Sequence, residues 1–204
     1  MTLRPEPTTR TLRDLRRGQI LSVARGLVAE GGLEALTIAR IEAGCDFSRG
    51  VITYHFRNKD EIVAAVLESA IQEIEEGTLG RLQGIDDASE RVRIMLRSTL
   101  QGFLQHREAA HILLSFWGRI PRDEWATRMN AELYAGFRTS AAQIFEKGQD
   151  SGDFADDLDV ESMAALSVAL VIGIAAQVYF QPGAIDPTKA MDEAAESLLA
   201  RVLR

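Results

Sequence analysis

A chain of 204 residues is long enough to bury one sizeable core or two smaller ones. Its composition, 46% hydrophobic and 26% charged, is typical of a globular protein, and a net charge of -7 argues against binding nucleic acid over the whole surface. The single cysteine, Cys45, excludes an internal disulfide and a cysteine-based metal cluster, so no cofactor is predicted and a cytoplasmic location is expected.

The charge is distributed unevenly along the chain. Residues 1–60 contain 10 Lys and Arg against 7 Asp and Glu, a net charge of +3. Residues 61–204 contain 13 against 23, a net charge of -10. Because an acidic surface repels phosphate, only the N-terminal part of the chain is expected to approach DNA.

Residues 1–10 contain two prolines and no periodicity, and they are predicted to form a flexible arm without the apolar run of a signal peptide. A first helix is predicted over about residues 11–30, with an inner stripe of Ile20, Ala24, Leu27 and Val28. Gly31 and Gly32 are expected to end it. The arginines near its start are interpreted as a solvated face, with a contact to a groove edge or to phosphate as the alternative.

Residues 37–56, TIARIEAGCDFSRGVITYHF, have the pattern of two short helices joined by a tight turn. Thr37 and Ser48 are predicted to cap the two helices, and Gly44 and Asp46 are the candidates for a left-handed turn conformation. The second helix is expected to turn a cation, a glycine, a hydroxyl and a phenol outward. Such a face suits the major groove of DNA, although an ordinary helical hairpin with a polar surface has the same pattern.

The wording of this stretch resembles the N-terminal DNA-binding domain of the tetracycline-repressor (TetR) family, over about the first 70 residues. The resemblance rests on Thr37-Ile38, Ser48-Arg49-Gly50, Tyr54-His55-Phe56 and Lys59-Asp60. It departs from the family pattern at Cys45-Asp46-Phe47 and at Thr53. The resemblance implies a helix-turn-helix regulator whose DNA contacts are expected from Thr37, Ser48, Arg49, Gly50, Val51, Thr53, Tyr54, His55 and Lys59.

A fourth helix is predicted to run to about Glu76. Asn58 and Glu61 have the spacing of a capping box at its start. The backbone N–H groups there, together with Lys59, are predicted to bind phosphate. We expect this helix to join the DNA-binding part to the rest of the chain and to transmit movement between them.

After a predicted loop at 77–87, the chain has helical periodicity to its end, with predicted helices over about 88–105, 108–117, 121–148, 160–180 and 187–204. Pro121 is expected to open the third of these and Gly148 to close it. The predicted fold is all-α: an N-terminal three-helix helix-turn-helix domain with its flexible arm, residues 1–57, joined to a larger helical ligand-binding and dimerisation domain, residues 58–204.

Residues 163–180 contain no charged residue, and this run is long enough to raise the question of a transmembrane helix. Polar residues interrupt the run and its N-terminal flank is acidic, so we expect no membrane association. A helix that is apolar on all sides is predicted to be buried, partly against a second subunit. The candidates for the homodimer contact are Ala169, Gly173, Ala176, Ala194 and Leu198.

The C-terminal part is also rich in aromatic residues at helical spacing. Such residues are usually core, but together they exceed what packing requires, and apolar pockets with a few polar groups bind small molecules. TetR-like proteins place their effector pocket in this part of the chain. The predicted ligand-binding residues are Phe103, His111, Trp117, Trp125, Met129, Tyr134 and Phe137.

No catalytic or metal site is predicted, because Glu108-x-x-His111 lacks the further carboxylates that a di-metal site needs. The predicted function is a sequence-specific DNA-binding transcriptional regulator: a homodimeric repressor on a palindrome-like operator of double-stranded DNA, released by a small-molecule effector. Repression follows from the resemblance. The alternatives are a helical enzyme, and a helical protein-interaction adaptor or ligand-binding protein without specific DNA binding.

Overall fold

The computed structural model describes residues 11–117 and 123–203, in which ten α-helices occur and no strand; Phe154 and Leu203 form an isolated antiparallel bridge. The all-α prediction is confirmed. The predicted N-terminal arm and Pro121 lie outside the described residues. The helices are α1 Leu12–Ala35, α2 Ile38–Cys45, α3 Arg49–His55, α4 Lys59–Glu75, α5 Thr78–Leu82, α6 Ala88–Gln105, α7 Arg107–Trp117, α8 Glu124–Ser151, α9 Val160–Phe180 and α10 Pro187–Val202.

The chain divides into two compact units, a head (Met1–Glu68) and a body (Ser69–Arg204). The division lies inside α4, whereas the predicted boundary at 57/58 lies just before that helix. In the head, α1 leaves helical geometry at Gly31 and Gly32, where Gly32 has a φ of 66° that favours glycine. The head's core includes Ile20, Ala24, Val28, Leu33, Leu36, Ile41, Ile52 and Phe56.

The turn between α2 and α3 contains Asp46, which adopts the left-handed conformation with φ 54°. Gly44, the other candidate for that conformation, lies within α2 and is small for a different reason. A Cβ atom there would lie 2.6 Å from Cγ1 of Val23 on α1. Gly44 therefore permits the close approach of α1 and α2, and Asp46 alone makes the turn.

In the body, α6 packs against α5, α7, α8, α9 and α10, and α9 packs against α8 and α10. Aspartates cap four of these helices, with Asp87, Asp123, Asp159 and Asp186 each accepting a bond from a backbone N–H of the first turn. The core includes Val92, Leu96, Leu100, Phe145, Phe154, Met191, Ala195, Leu199 and Val202.

Two predicted features of the body are wrong. The predicted loop at 77–87 contains the short helix α5. Gly148 does not close α8, because the helix continues to Ser151 and ends at Gly152, which has a φ of 80°. Gly148 is small because a Cβ atom there would lie 2.2 Å from the ring of Phe154.

Within the described part of the chain, α9 is the one helix long and apolar enough to cross a membrane. One such helix is weak support for a membrane protein, and here it packs against three neighbours in the body. Only 33% of its most apolar window is buried inside the single chain. It therefore leaves an apolar stripe uncovered, which we call the α9 stripe: Leu166, Ala169, Gly173 and Phe180.

Candidate DNA-binding surface and ligand cavity

The outer face of α3 presents Arg49, Gly50, Thr53 and Tyr54, all exposed. Their spacing of one, three and one residues places them on the same side of a helix. The side chain of Tyr54 stands out furthest, with 70% of its surface exposed. The opposite side of α3 buries Ile52, so the helix is attached to the head by one face and open on the other.

Hydroxyl groups at this face differ in how they are used. Thr37 caps α2 by accepting from the N–H of Arg40 at 3.3 Å. Ser48 occupies the N-cap position of α3 without a side-chain cap bond, which differs from the predicted cap. The hydroxyl of Thr53 bonds to the carbonyl oxygens of Arg49 and Gly50 at 3.0 and 3.2 Å. Thr53 therefore offers an outside partner its lone pairs, since its proton is used within the helix.

Arginines of α1 brace α3. Nη1 of Arg17 donates to the carbonyl oxygen of His55 at 3.3 Å, and its guanidinium carbon lies 4.2 Å from the centre of the Phe56 ring. The guanidinium carbon of Arg13 lies 5.8 Å from the centre of the Tyr54 ring. These two arginines do more than form a solvated face, because they contact α3 and the residue that follows it.

His55 does not join the outer face. Only 8% of its surface is exposed, because the end of α3 turns this residue into the head. Burial, followed by the nearby charges of Arg13, Arg16 and Arg17, lowers the pKa of His55 below its ordinary value. Val51 is half-buried. The exposed residues of the predicted DNA-contact set are therefore Thr37, Ser48, Arg49, Gly50, Thr53 and Tyr54.

The start of α4 is capped as predicted by Asn58, whose side-chain oxygen accepts from the N–H of Glu61 at 2.9 Å. The reciprocal bond is different from a capping box, because Glu61 accepts from the N–H of Arg57, at 2.7 Å. Lys59 is half-buried, and its Nζ donates to the carbonyl oxygen of Leu33 at 3.4 Å. Lys59 thus retains further N–H donors for phosphate while it holds the start of α4 to the last turn of α1.

The body contains a cavity of about 680 Å³ between the end of α4 and helices α5, α6, α7, α8 and α9. This volume lies within the range of small-molecule sites. Its wall is mostly apolar and carries a few charged or hydroxyl-bearing side chains. The lining includes Ile71, Ile74, Glu75, Thr78, Arg91, Met95, Leu96, Thr99, Phe103, Leu113, Phe137, Ile144, Lys147, Ser167, Val171 and Ile172.

Two of the seven predicted ligand-binding residues, Phe103 and Phe137, line this cavity. Trp117 lines only a much smaller space of about 30 Å³. The other four are absent from the described lining of both cavities. His111 is hydrogen-bonded to Tyr179 and Ser115, Trp125 packs edge-on against Phe116, Tyr134 packs against Trp117 and Phe137, and Met129 is half-buried.

Arg91 and Thr78 are two of the polar residues of the cavity wall that the sequence did not predict. Nη1 of Arg91 donates to the carbonyl oxygens of Leu82 and Ile85 at 3.1 and 3.0 Å. Its Nε, and the hydroxyl of Thr78, are buried without a hydrogen-bond partner among the described residues. A signal existed for Arg91: it lies four residues before Met95 on α6, so a charge sits in the inward stripe of that helix.

The predicted dimer-contact residues fall into two groups. Ala169 and Gly173 are exposed on α9, and Ala176 and Ala194 are half-buried. Leu198 is only 4% exposed, because α10 turns it into the core of its own chain. Leu198 therefore stabilises the subunit and is not available to a partner.

Comparison with known proteins finds similar proteins for both parts of the chain. Residues 20–66 match the family model for bacterial regulatory proteins of the tetR family, and residues 88–204 match the model for the BetI-type transcriptional repressor, C-terminal. The chain is 23% identical over 122 residues to the HTH-type transcriptional regulator BetI of Escherichia coli O17:K52:H18, a match that covers 60% of each protein. The chain therefore spans about 60% of the length of this relative.

Two further similarities extend over more of the chain. The HTH-type transcriptional repressor KstR2 of Mycobacterium tuberculosis is 26% identical over 153 residues, which is 72% of each protein. A putative transcriptional regulator from Saccharomonospora viridis, solved in complex with choline, superposes with a TM-score of 0.73 at 22% identity, covering 92% of this chain and 97% of that one. The resemblance seen in the sequence is thus confirmed over both the head and the body.

Proposed function

We propose that this chain, which belongs to the tetR family of bacterial regulatory proteins, represses transcription as a cytoplasmic dimer. A small molecule bound in the body would release it from its operator. Members of this family are DNA-binding regulators and not enzymes, so the helical enzyme is excluded. The observation that carries the proposal is the cavity of about 680 Å³, whose wall includes Ile71, Ile74 and Glu75 from the end of α4.

We assign the DNA contacts by exposure and chemistry. Arg49 and Tyr54 stand on the open face of α3, where an arginine can bond to base edges in the major groove. Thr37 and Ser48 are exposed at the starts of α2 and α3, where hydroxyls and helix N-termini bond to phosphate. Lys59 is assigned to phosphate as well. Gly50 and Thr53 border the same face and permit close approach of the groove.

The α9 stripe supports a dimer. It exposes the small residues Ala169 and Gly173 between the larger Leu166 and Phe180. A Cβ atom placed at Gly173 would have no neighbouring atom within 4 Å in the described chain. A second copy of α9 in two-fold symmetry would cover this stripe with an identical one. Two linked heads then read half-sites roughly 34 to 36 Å apart in successive major grooves, which requires a palindrome-like operator.

Release by the effector is assigned to α4. This helix begins four residues after α3 ends, and its last residues line the cavity. A ligand that binds more tightly when the end of α4 is displaced would favour a conformation that fits DNA less well. The ligand of the choline-bound structural relative does not transfer, because 22% identity carries the fold alone.

Selection from random DNA duplexes tests the proposal. We expect the purified protein to enrich a palindrome-like site, and a subset of apolar ligands to weaken its affinity for that site. A second measurement, calorimetry, shows whether these ligands bind the protein in the absence of DNA. Enrichment of no sequence would favour the alternative of an adaptor or ligand-binding protein, and ligands that bind without changing operator affinity would contradict release.

A further inference from the structure

We infer that the ligand of the body cavity is an apolar molecule that carries a carboxylate or a comparable anionic hydrogen-bond acceptor, bound by Arg91 and Thr78. The inference rests on the proposed function only in taking this cavity as the effector site. It is drawn from two polar groups that the fold buries in an otherwise apolar wall and leaves without partners among the described residues.

The guanidinium of Arg91 is held in place before any ligand arrives. Its Nη1 bonds to the carbonyl oxygens of Leu82 and Ile85, which end α5 and precede α6. Its Nε remains buried with no partner in the described part of the chain, and Arg91 lines the cavity. A buried donor without an acceptor is costly, and guanidinium remains charged at any physiological pH. An anionic group in the cavity would be attracted by this charge, and a ligand acceptor that reaches Nε would remove that cost.

Thr78 provides a second point of attachment. The residue is 9% exposed, its hydroxyl is buried without a described partner, and it lines the same cavity from α5. A hydroxyl both donates and accepts, so once rotation of the side chain turns it toward the cavity it can bond to a carboxylate oxygen or to a ligand hydroxyl. Arg91 distinguishes these ligands by charge, whereas Thr78 does not.

The rest of the wall disfavours a cationic ligand. The aromatic residues among the described lining are Phe103 and Phe137, which is less than the cage that quaternary ammonium groups require. The anionic residue of the lining is Glu75, which is exposed, and Lys147 is exposed as well. Although Glu75 as a whole is exposed, its carboxyl group is partly desolvated, which raises the pKa of that group.

Three probes built on an unbranched ten-carbon chain test the inference: decanoate, decanol and decyltrimethylammonium, each below its micelle concentration. Binding to the full-length protein is measured by calorimetry in the absence of DNA, so the result does not depend on operator release. We expect decanoate to bind about tenfold or more tightly than decanol, and decyltrimethylammonium most weakly. Decanoate binding no tighter than the other two, or no binding by any of them, would overturn the inference.

Variants identify the groups. Arg91→Gln should weaken decanoate binding about tenfold or more while changing decanol binding less than about threefold. Thr78→Val, which keeps the size of the side chain, should weaken both probes about two- to tenfold. Lys189→Gln removes one positive charge from an exposed position of α10 outside the cavity lining and should change neither. If Arg91→Gln does not fold, Thr78→Val decides, and unchanged affinities in it would contradict the site.

The same titrations separate this inference from the proposed function. Decanoate that binds with the expected preference but leaves operator affinity unchanged would support the ligand class and contradict release. Operator release by decyltrimethylammonium and not by decanoate would support release and overturn the ligand class.

Discussion

Arg49 and Lys59 are both cations of the head, but their surroundings differ. Arg49 stands exposed on the outer face of α3, whereas Lys59 is half-buried and donates to the carbonyl oxygen of Leu33. Arg49→Ala should therefore change which sequences are preferred, at a cost of about 1–3 kcal/mol at one base pair. Lys59→Ala should weaken binding to all sequences and reduce the salt dependence by about one counterion.

Both variants are measured on the selected operator and on singly substituted duplexes over a range of salt concentrations. A changed sequence preference in Lys59→Ala with an unaltered salt dependence would show that the two roles are assigned to the wrong residues.

His55 makes the stability of the head depend on pH. Its pKa is lowered in the folded chain, so the unfolded chain binds the proton more readily. The free energy of unfolding should therefore decrease as pH falls from about 6.5 to the folded pKa, and should be independent of this group above about 6.5. Denaturant unfolding across this range in wild type and in His55→Gln measures the effect. Equal pH dependence in the two proteins would remove His55 as the cause.

Between elements, Gly102 on α6 lies close against the backbone at the end of α4. A Cβ atom at Gly102 would lie 1.8 Å from the carbonyl oxygen of Ile74. Gly102→Ala should move the end of α4, lower the free energy of unfolding by about 1–3 kcal/mol, and weaken ligand binding, since Ile74 lines the cavity.

Gly136→Ala on the exposed side of α8 is the matched control, because nothing lies within 4 Å of its Cβ position. It should raise the free energy of unfolding by up to about 1 kcal/mol, as alanine is the better helix former. Denaturant midpoints and probe calorimetry compare the two variants. Equal stability of both would mean that α4 and α6 are not held together at Gly102.

The elements that the sequence predicted well are those with local causes. The caps at Thr37 and Asn58 depend on one side chain and the next turn, and the structure has both, whereas Ser48 makes no side-chain bond at the start of α3. The prediction that Gly148 ends α8 is wrong, because a glycine is needed there by the nearby ring of Phe154 and not by a turn. A sequence does not show which of these two reasons a glycine has.

The cavity was predicted only in part for a similar reason. Aromatic residues such as Trp125 and Tyr134 follow helical spacing but pack on each other. The cavity is a space that six helices leave between them, so its lining depends on their relative placement. Arg91 and Thr78 become recognisable only when the acceptors around them are known.

At the scale of the whole molecule, the dimer is tested at Gly173. In the single chain this position is exposed and has open space around it, so Gly173→Arg should leave the subunit folded. In the proposed dimer the substitution would bury an unpaired charge, at a cost of several kcal/mol. We expect a folded monomer with greatly weakened operator affinity.

Gly136→Arg, on the exposed side of α8 with equally open surroundings, is the control and should remain dimeric. Sedimentation velocity and operator titration read out both variants. An intact dimer of Gly173→Arg with unchanged operator affinity would place the subunit contact on other helices.

If the α9 stripe forms the dimer contact as proposed, transcriptional control also depends on the concentration of the protein. In the proposed dimer its apolar side chains would be covered only when two subunits associate, so association would be subject to mass action, and the melting temperature should rise with protein concentration. Below the dissociation constant of the dimer, the concentration of the DNA-binding species increases with the square of the subunit concentration. Operator occupancy would then respond steeply to expression, and a modest fall in synthesis would open the promoter without any effector.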